Sequence, residues 1–132
     1  MILPIKKKVK KKKKYFKNPK PSAPEKIIAK FFEDNNIKYV REKKFPGLLS
    51  MLKGELRFDF YIKDMNLLLE FDGPHHSSKQ VYGKKNFVKT YINDKIKDNY
   101  AHRMNIDLIR INYTENLQER LKEIFFSKKV SK

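Results

Sequence analysis

The 132-residue chain has no cysteine, so it builds no disulfide framework and no thiolate metal site. That fits a reducing interior and leaves carboxylate, carbonyl and imidazole groups as the only metal ligands, a set suited to hard ions such as Mg²⁺ rather than to structural zinc. No apolar stretch approaches the roughly 20 residues that cross a bilayer. Lysines stand near the N-terminus where a signal peptide would carry its apolar region, so the expectation is a soluble, intracellular protein with no membrane partner. Arginine is scarce, found only as Arg41, Arg57, Arg103, Arg110 and Arg120. With abundant Ile, Asn, Phe and Tyr, this is the composition of an AT-rich genome, and part of the charge follows from codon usage. No internal repeat is visible, and the length suits one modest core.

What the chain has in excess is lysine. The formal net charge is +17, and residues 1–20 hold ten lysines and no acid, so removing that segment leaves +7 for the rest. Like-charge repulsion predicts a disordered basic arm over 1–21, ahead of a single domain over 22–127 and a basic tail over 128–132. A charge of this size meets a polyanion, and nucleic acid is the commonest one. The arm also reads as a nuclear-import signal if the host is eukaryotic.

Within the domain, Ser22-Ala-Pro-Glu25 is a helix start, with Ser22 as N-cap, Pro24 in the first turn and Glu25 at the capping-box position. Ile27, Ile28, Phe31 and Phe32 form one apolar face, and Asn35-Asn36 ends the helix. A first strand is predicted over Lys38 to Phe45, then a loop from Pro46 to Lys53. Glu55 to Ile62 alternates apolar and polar residues as a strand with one buried face. The near-continuous apolar run at Leu67 to Asp72 reads as a buried strand. A polar loop is predicted to about Thr90, then a helix from Tyr91 to Met104 with Ile92, Ile96, Tyr100 and Met104 inward. A strand over Asp107 to Tyr113 and a helix over Asn116 to Phe126 carrying Leu117, Leu121, Ile124 and Phe125 complete an α-β-β-β-α-β-α order.

The functional argument starts at EFDGPHH, residues 70–76, where a buried strand ends in two acids. If the strands bearing Asp59 and Glu70 form a hairpin about Asp64-Met65, paired positions sum to 129. Asp59 then faces Glu70, Arg57 faces Asp72, and Phe58, Phe60 and Ile62 share a face with Leu67, Leu69 and Phe71. Carboxylates so opposed lie roughly 5 Å apart at Cβ and repel unless each has a local cation or the two share a divalent one. Mg²⁺ needs only one or two carboxylates and its own waters. The Gly73-Pro74 turn would bring His75 and His76 beside the pair, and imidazole moves protons near neutrality.

These blocks, RFDFYI, LLLEFDGPHH and NDKIKDNYAHRMNIDLIRINY, resemble the PD-(D/E)XK nuclease superfamily in its small branch akin to very-short-patch-repair endonucleases and EDxHD homing endonucleases. The resemblance runs from about Ser22 to Tyr113. It implies a restriction-endonuclease-like core, a central mixed sheet flanked by helices, that cuts DNA with Mg²⁺, or Mn²⁺ as an alternative, without a small-molecule cofactor. By that resemblance Asp59 and Glu70 hold the metal, His75 is the EDxHD histidine, Glu25 the first-helix glutamate and Asp94 the final aspartate; Asp72, two residues past Glu70, is expected to join the metal set. Asp72 stands where the superfamily keeps a lysine, Phe58 replaces the proline before the aspartate, and Lys95 or Lys97 would supply the displaced cation. Lys11, Lys12, Lys13, Lys14, Lys79, Lys84, Lys85, Lys89, Lys95 and Lys97 are the candidate DNA contacts. A homodimer is left open. The rival readings are a non-catalytic basic nucleic-acid-binding module on the same fold and, lower, a His-Asn-His nuclease using His75 or His76 with His102.

Overall fold

The computed structural model describes residues 20–74 and 84–127. Helix α1 (Ala23–Asp34) opens with the expected capping box: the Ser22 hydroxyl accepts from the Glu25 amide at 3.4 Å, and the Glu25 carboxylate accepts from the Ser22 amide at 3.0 Å. Two of the amides that a helix start leaves without partners are thereby satisfied. Ile28, Phe31 and Phe32 are buried, whereas Ile27, expected beside them, is exposed on the open seam toward Gln118.

Strands β1 (Val40–Leu49), β2 (Glu55–Ile62), β3 (Leu67–Asp72) and β4 (Asp107–Asn112) form one sheet in the order β1-β2-β3-β4. The first two pairings are antiparallel and β3–β4 is parallel, so the sheet is mixed. Strand β1 continues through the predicted loop, because Pro46 sits in an edge strand where a missing N–H costs little and Gly47 takes φ +83° within an irregularity between Lys44 and Leu49. Between β2 and β3 the pairs are Phe60 with Leu69, Tyr61 with Leu68 and Ile62 with Leu67, the register expected from matching apolar faces. The connection is a 3₁₀ turn at Lys63–Met65 closed by left-handed Asn66, a four-residue loop in place of a two-residue Asp-Met turn. An asparagine tolerates that backbone where most residues do not.

Helix α2 (Lys84–Arg103) crosses from β3 to β4 and is longer than its apolar residues predict, beginning seven residues before Tyr91. It buries Tyr100 and Ala101, with Ile96 packed beside them. Met104 falls outside the helix and is exposed, since Asn105 turns the chain at φ 59° and sends Ile106 inward. Helix α3 (Leu117–Phe126), capped by Asn116, buries Leu121 and stacks Phe125 and Phe126 on Phe31. No helix among the described residues is long and apolar enough to cross a membrane.

The sheet therefore separates two apolar layers. Helices α1 and α3 cover Phe60, Ile62, Leu67, Leu69 and Ile111; helix α2 covers Leu48, Phe58 and Leu68. Phe58 was expected on the face of Phe60 and Ile62, yet it packs in the opposite layer. At the same level of the ladder Glu42 takes φ 53° beside Asp59, between the pairs Arg41–Phe60 and Lys43–Phe58. A left-handed residue breaks the two-residue alternation. Accordingly Tyr39 packs on Phe32 and Phe60 in one layer, while the Lys43 ammonium lies over the Phe45 and Tyr61 rings that pack with the other.

Candidate active site

Asp59 stands at this change of face, and the β2–β3 ladder gives way at the same level, beyond Phe60–Leu69. The carboxylates continue it. The Asp59 amide donates to Glu70 Oε2 at 3.0 Å, and the Phe71 amide donates to Asp59 Oδ2 at 2.8 Å. The expected juxtaposition of the two acids is thus present, but each is tied to the other's strand rather than simply opposed. The expected opposition of Arg57 and Asp72 does not form: Arg57 pairs with Lys44 across β1 and reaches Glu42 at 3.7 Å.

Glu70 is only 2 % exposed. A buried carboxylate needs charge-assisted partners, and α2 supplies one: Lys97 Nζ lies 3.1 Å from Oε1 and 3.0 Å from Oε2. Strand β4 supplies another, Arg110, 3.4 Å from Oε1 and paired with Glu70 in the parallel ladder. Burial pushes the Glu70 carboxyl above its ordinary pKa, against the pull of Lys97 and Arg110. Burial and then the Glu70 charge push Asp59 up to about 7, with the Phe71 amide and Lys97 opposing and Glu25 adding to the rise.

Arg110 gathers the remaining acids. Its guanidinium lies 3.4 Å from Asp72 Oδ1, 3.3 Å from Asp94 Oδ1 and 2.8 Å from Asp98 Oδ1. Burial works against its charge, but the Asp98 hydrogen bond and the Asp94, Glu70 and Asp72 charges outweigh it and raise its pKa. Asp72 and Asp94 thus meet Arg110 on one side of Glu70.

On the other side, Glu25, Glu42 and Asp59 each present an oxygen such that all three lie within 4.8 Å of one another. Glu25 arrives there because the capping box fixes it on the first turn of α1, and Glu42 because its left-handed backbone turns it toward Asp59. Among the described residues this is the group whose spacing suits a cation, and it shares Asp59 with the predicted Asp59–Glu70–Asp72 set. A cleft of about 430 Å³ is lined by Ser22, Glu25, Asp59, Glu70, Gly73, Pro74 and Lys97, among others.

Lys84, Lys85, Lys89 and Lys95 are exposed on α2, and Lys97 is partly buried against Glu70. His75, His76, Lys79, Lys11, Lys12, Lys13 and Lys14 lie outside the described residues. His102 is exposed at the far end of α2, beside a second cleft of about 500 Å³ that includes Asp98 and Asp107. Sequence reasoning missed Glu42, which carries no signal within the basic run VREKKF. It also passed over Arg110, although a cation alternating with Ile109 and Ile111 in a strand is a visible oddity.

The fold and site define a mixed α/β protein with a buried, cation-braced acid pair. The chain belongs to a family of unknown function, DUF5889, whose model matches residues 55–132. That span runs from β2 onward, so it holds Asp59, Glu70, Lys97 and Arg110, while Glu25 and Glu42 precede it. No curated protein matches the chain.

Proposed function

We propose that the protein is a metal-dependent nuclease hydrolysing DNA phosphodiester bonds, with a restriction-endonuclease-like core of the PD-(D/E)XK type. One observation carries this reading: Asp59 and Glu70 sit side by side on neighbouring strands, with the Lys97 ammonium on Glu70. Lys97, on a helix, occupies the charge role that Asp72 leaves vacant in the strand motif.

The donor set fits a hard divalent cation. Three carboxylates within mutual ligand distance are suited to Mg²⁺ or Mn²⁺, and Asp59, pushed up to about 7 by burial and by Glu70, is a group that a positive charge would relieve. Asp59, Glu25 and Glu42 would hold the ion, with Glu70 beside them; bound there, it supplies Lewis-acid polarisation of the phosphate and a lowered pKa for water. The protein's own residues do the rest. Lys97 holds the Glu70 carboxylate in place and adds positive charge at the cleft. His75 follows the Gly73-Pro74 turn that lines the cleft, and it is assigned the proton transfer. Exposed Lys84, Lys85 and Lys89 neutralise flanking phosphates.

The test is nicking of supercoiled plasmid in Mg²⁺ and in Mn²⁺ by wild type and by Asp59→Ala. Wild type is expected to cut and the variant to lose activity by at least about 100-fold. Equal activity in both, or none in either metal, overturns the reading.

A second reading, a non-catalytic nucleic-acid-binding module, is favoured by the saturation of Glu70: both oxygens are held by Lys97, one also by Arg110 and the other by the Asp59 amide. It predicts salt-sensitive DNA binding with no cleavage in the same assay.

A further inference from the structure

The first half of α2 is larger than the fold requires. The helix runs for 20 residues, yet its buried side chains are Tyr100 and Ala101, near its C-terminal end. From Lys84 to Asn93 the segment has no acid. Its exposed residues include Lys84, Val88, Tyr91 and Lys95, and at 100° per residue these four fall within about 60° of one another, making a single stripe. Val88 is 41 % and Tyr91 55 % exposed, and the Lys95 ammonium lies 5.4 Å from the centre of the Tyr91 ring. Lys85 and Lys89 flank the stripe and are exposed too.

We infer that this stripe is a DNA-reading face that lies in the major groove of duplex DNA, with Lys84 and Lys95 on the phosphates at its two ends and Val88 and Tyr91 on base edges between them. The inference rests on the nucleic-acid reading above and adds the form of the substrate. Three features select this partner. The charge is of one sign, which suits a polyanion. Lys95 lies eleven residues beyond Lys84, a rise of about 16 Å at 1.5 Å per residue, enough to reach both walls of a groove about 12 Å wide. The apolar area is two side chains, well short of the roughly 800 Å² per partner of a stable protein interface, but suited to thymine methyl groups and base edges, which the major groove displays.

The stripe divides the work. Lysines fix position without reading sequence, while contacts at Val88 and Tyr91 discriminate between base pairs. The cleft holding Asp59 lies on the same connection, since Lys97 of α2 lines it. Lys97 reaches Glu70 from the sheet side of the helix, about 150° round from the middle of the stripe, so the stripe and the acid pair engage different faces of α2.

The experiment uses full-length Asp59→Asn protein, so that cleavage does not interfere, and measures anisotropy of a fluorescent duplex pool from which the preferred sequence is enriched. Adding Lys84→Gln/Lys95→Gln is expected to weaken binding to all sequences about tenfold, and to lower the slope of log affinity against log salt by about 2. Adding Val88→Ser/Tyr91→Ser is expected to leave the slope unchanged and to abolish preference for the enriched sequence. Dimethyl sulfate should find guanine N7 protected in the complex with the Asp59→Asn parent. Both surface variants binding as the parent does, or N7 remaining reactive in the parent complex, overturns the inference. Failure of plasmid cleavage alone does not touch it, because every readout here is binding.

Discussion

Asp59 and Glu70 are cross-bonded: Glu70 accepts from the amide of Asp59, and Asp59 accepts from the amide of Phe71, the residue after Glu70. The two strands are held together at this level by carboxylates whose hydrogen bonds depend on their ionisation. The site is therefore part of the sheet, and its chemistry is linked to the stability of the fold.

The linkage has a definite sign. Asp59, ordinarily at 3.8, is held at about 7 in the folded chain. The folded state thus binds its proton more tightly, and the stability this contributes is full below about pH 4 and is lost as the pH rises to about 7. Asp59→Asn keeps an acceptor for the Phe71 amide and removes the ionisation. In metal-free buffer, thermal unfolding should show the variant more stable than wild type at pH 8, by on the order of 2–4 kcal/mol, with the gap closing toward pH 4.

Lys97→Met leaves Glu70 buried with Arg110 at 3.4 Å as its remaining cationic partner. Urea unfolding should show a loss of about 3 kcal/mol, the cost typical of stranding a buried charge. The double variant Glu70→Gln/Lys97→Met should recover about 1–3 kcal/mol of the summed single losses, since the second change removes the charge that the first one stranded. Strict additivity would show that the pair is not coupled.

Glu42 carries a left-handed backbone at φ 53°, which costs an L-residue roughly 1–2 kcal/mol relative to glycine. Its ion pairs with Arg41 and Arg57, at 3.6 and 3.7 Å, are long. Glu42→Gly should therefore raise the denaturation midpoint of the metal-free protein, by about 1 kcal/mol of stability. It should also diminish the rise in Tm on adding Mn²⁺ or Mg²⁺, because one of three carboxylates is gone. A variant stabilised by metal as strongly as wild type would remove Glu42 from the cation site.

The legible parts of this molecule were those encoded by local pattern. The Ser22–Glu25 capping box is two side chains three residues apart, and the β2–β3 register follows from burying Phe60, Ile62, Leu67 and Leu69 together. The adjacency of Asp59 and Glu70 came with that register. What escaped was set by tertiary context. Glu42 is left-handed without being glycine or asparagine, so nothing in its neighbourhood marks the level at which Phe58 joins the other layer. The first turns of α2 set Phe87 and Val88 among lysines and leave Val88 exposed, and periodicity has no hold on a helix segment that buries so little. Arg110 draws its importance from acids 12 to 40 residues away, a separation no local window spans.

The cross-bonded strand ends give the molecule its own reporters. At Asp59 and Phe71 the backbone proton points at an ionisable oxygen, where an ordinary ladder offers a carbonyl whose charge never changes. Any event that alters charge in the cleft, whether a proton, an ion or a phosphate, is felt directly by these two amides. Their nuclear resonances and exchange rates give a residue-level reading of the state of the site, with no label attached.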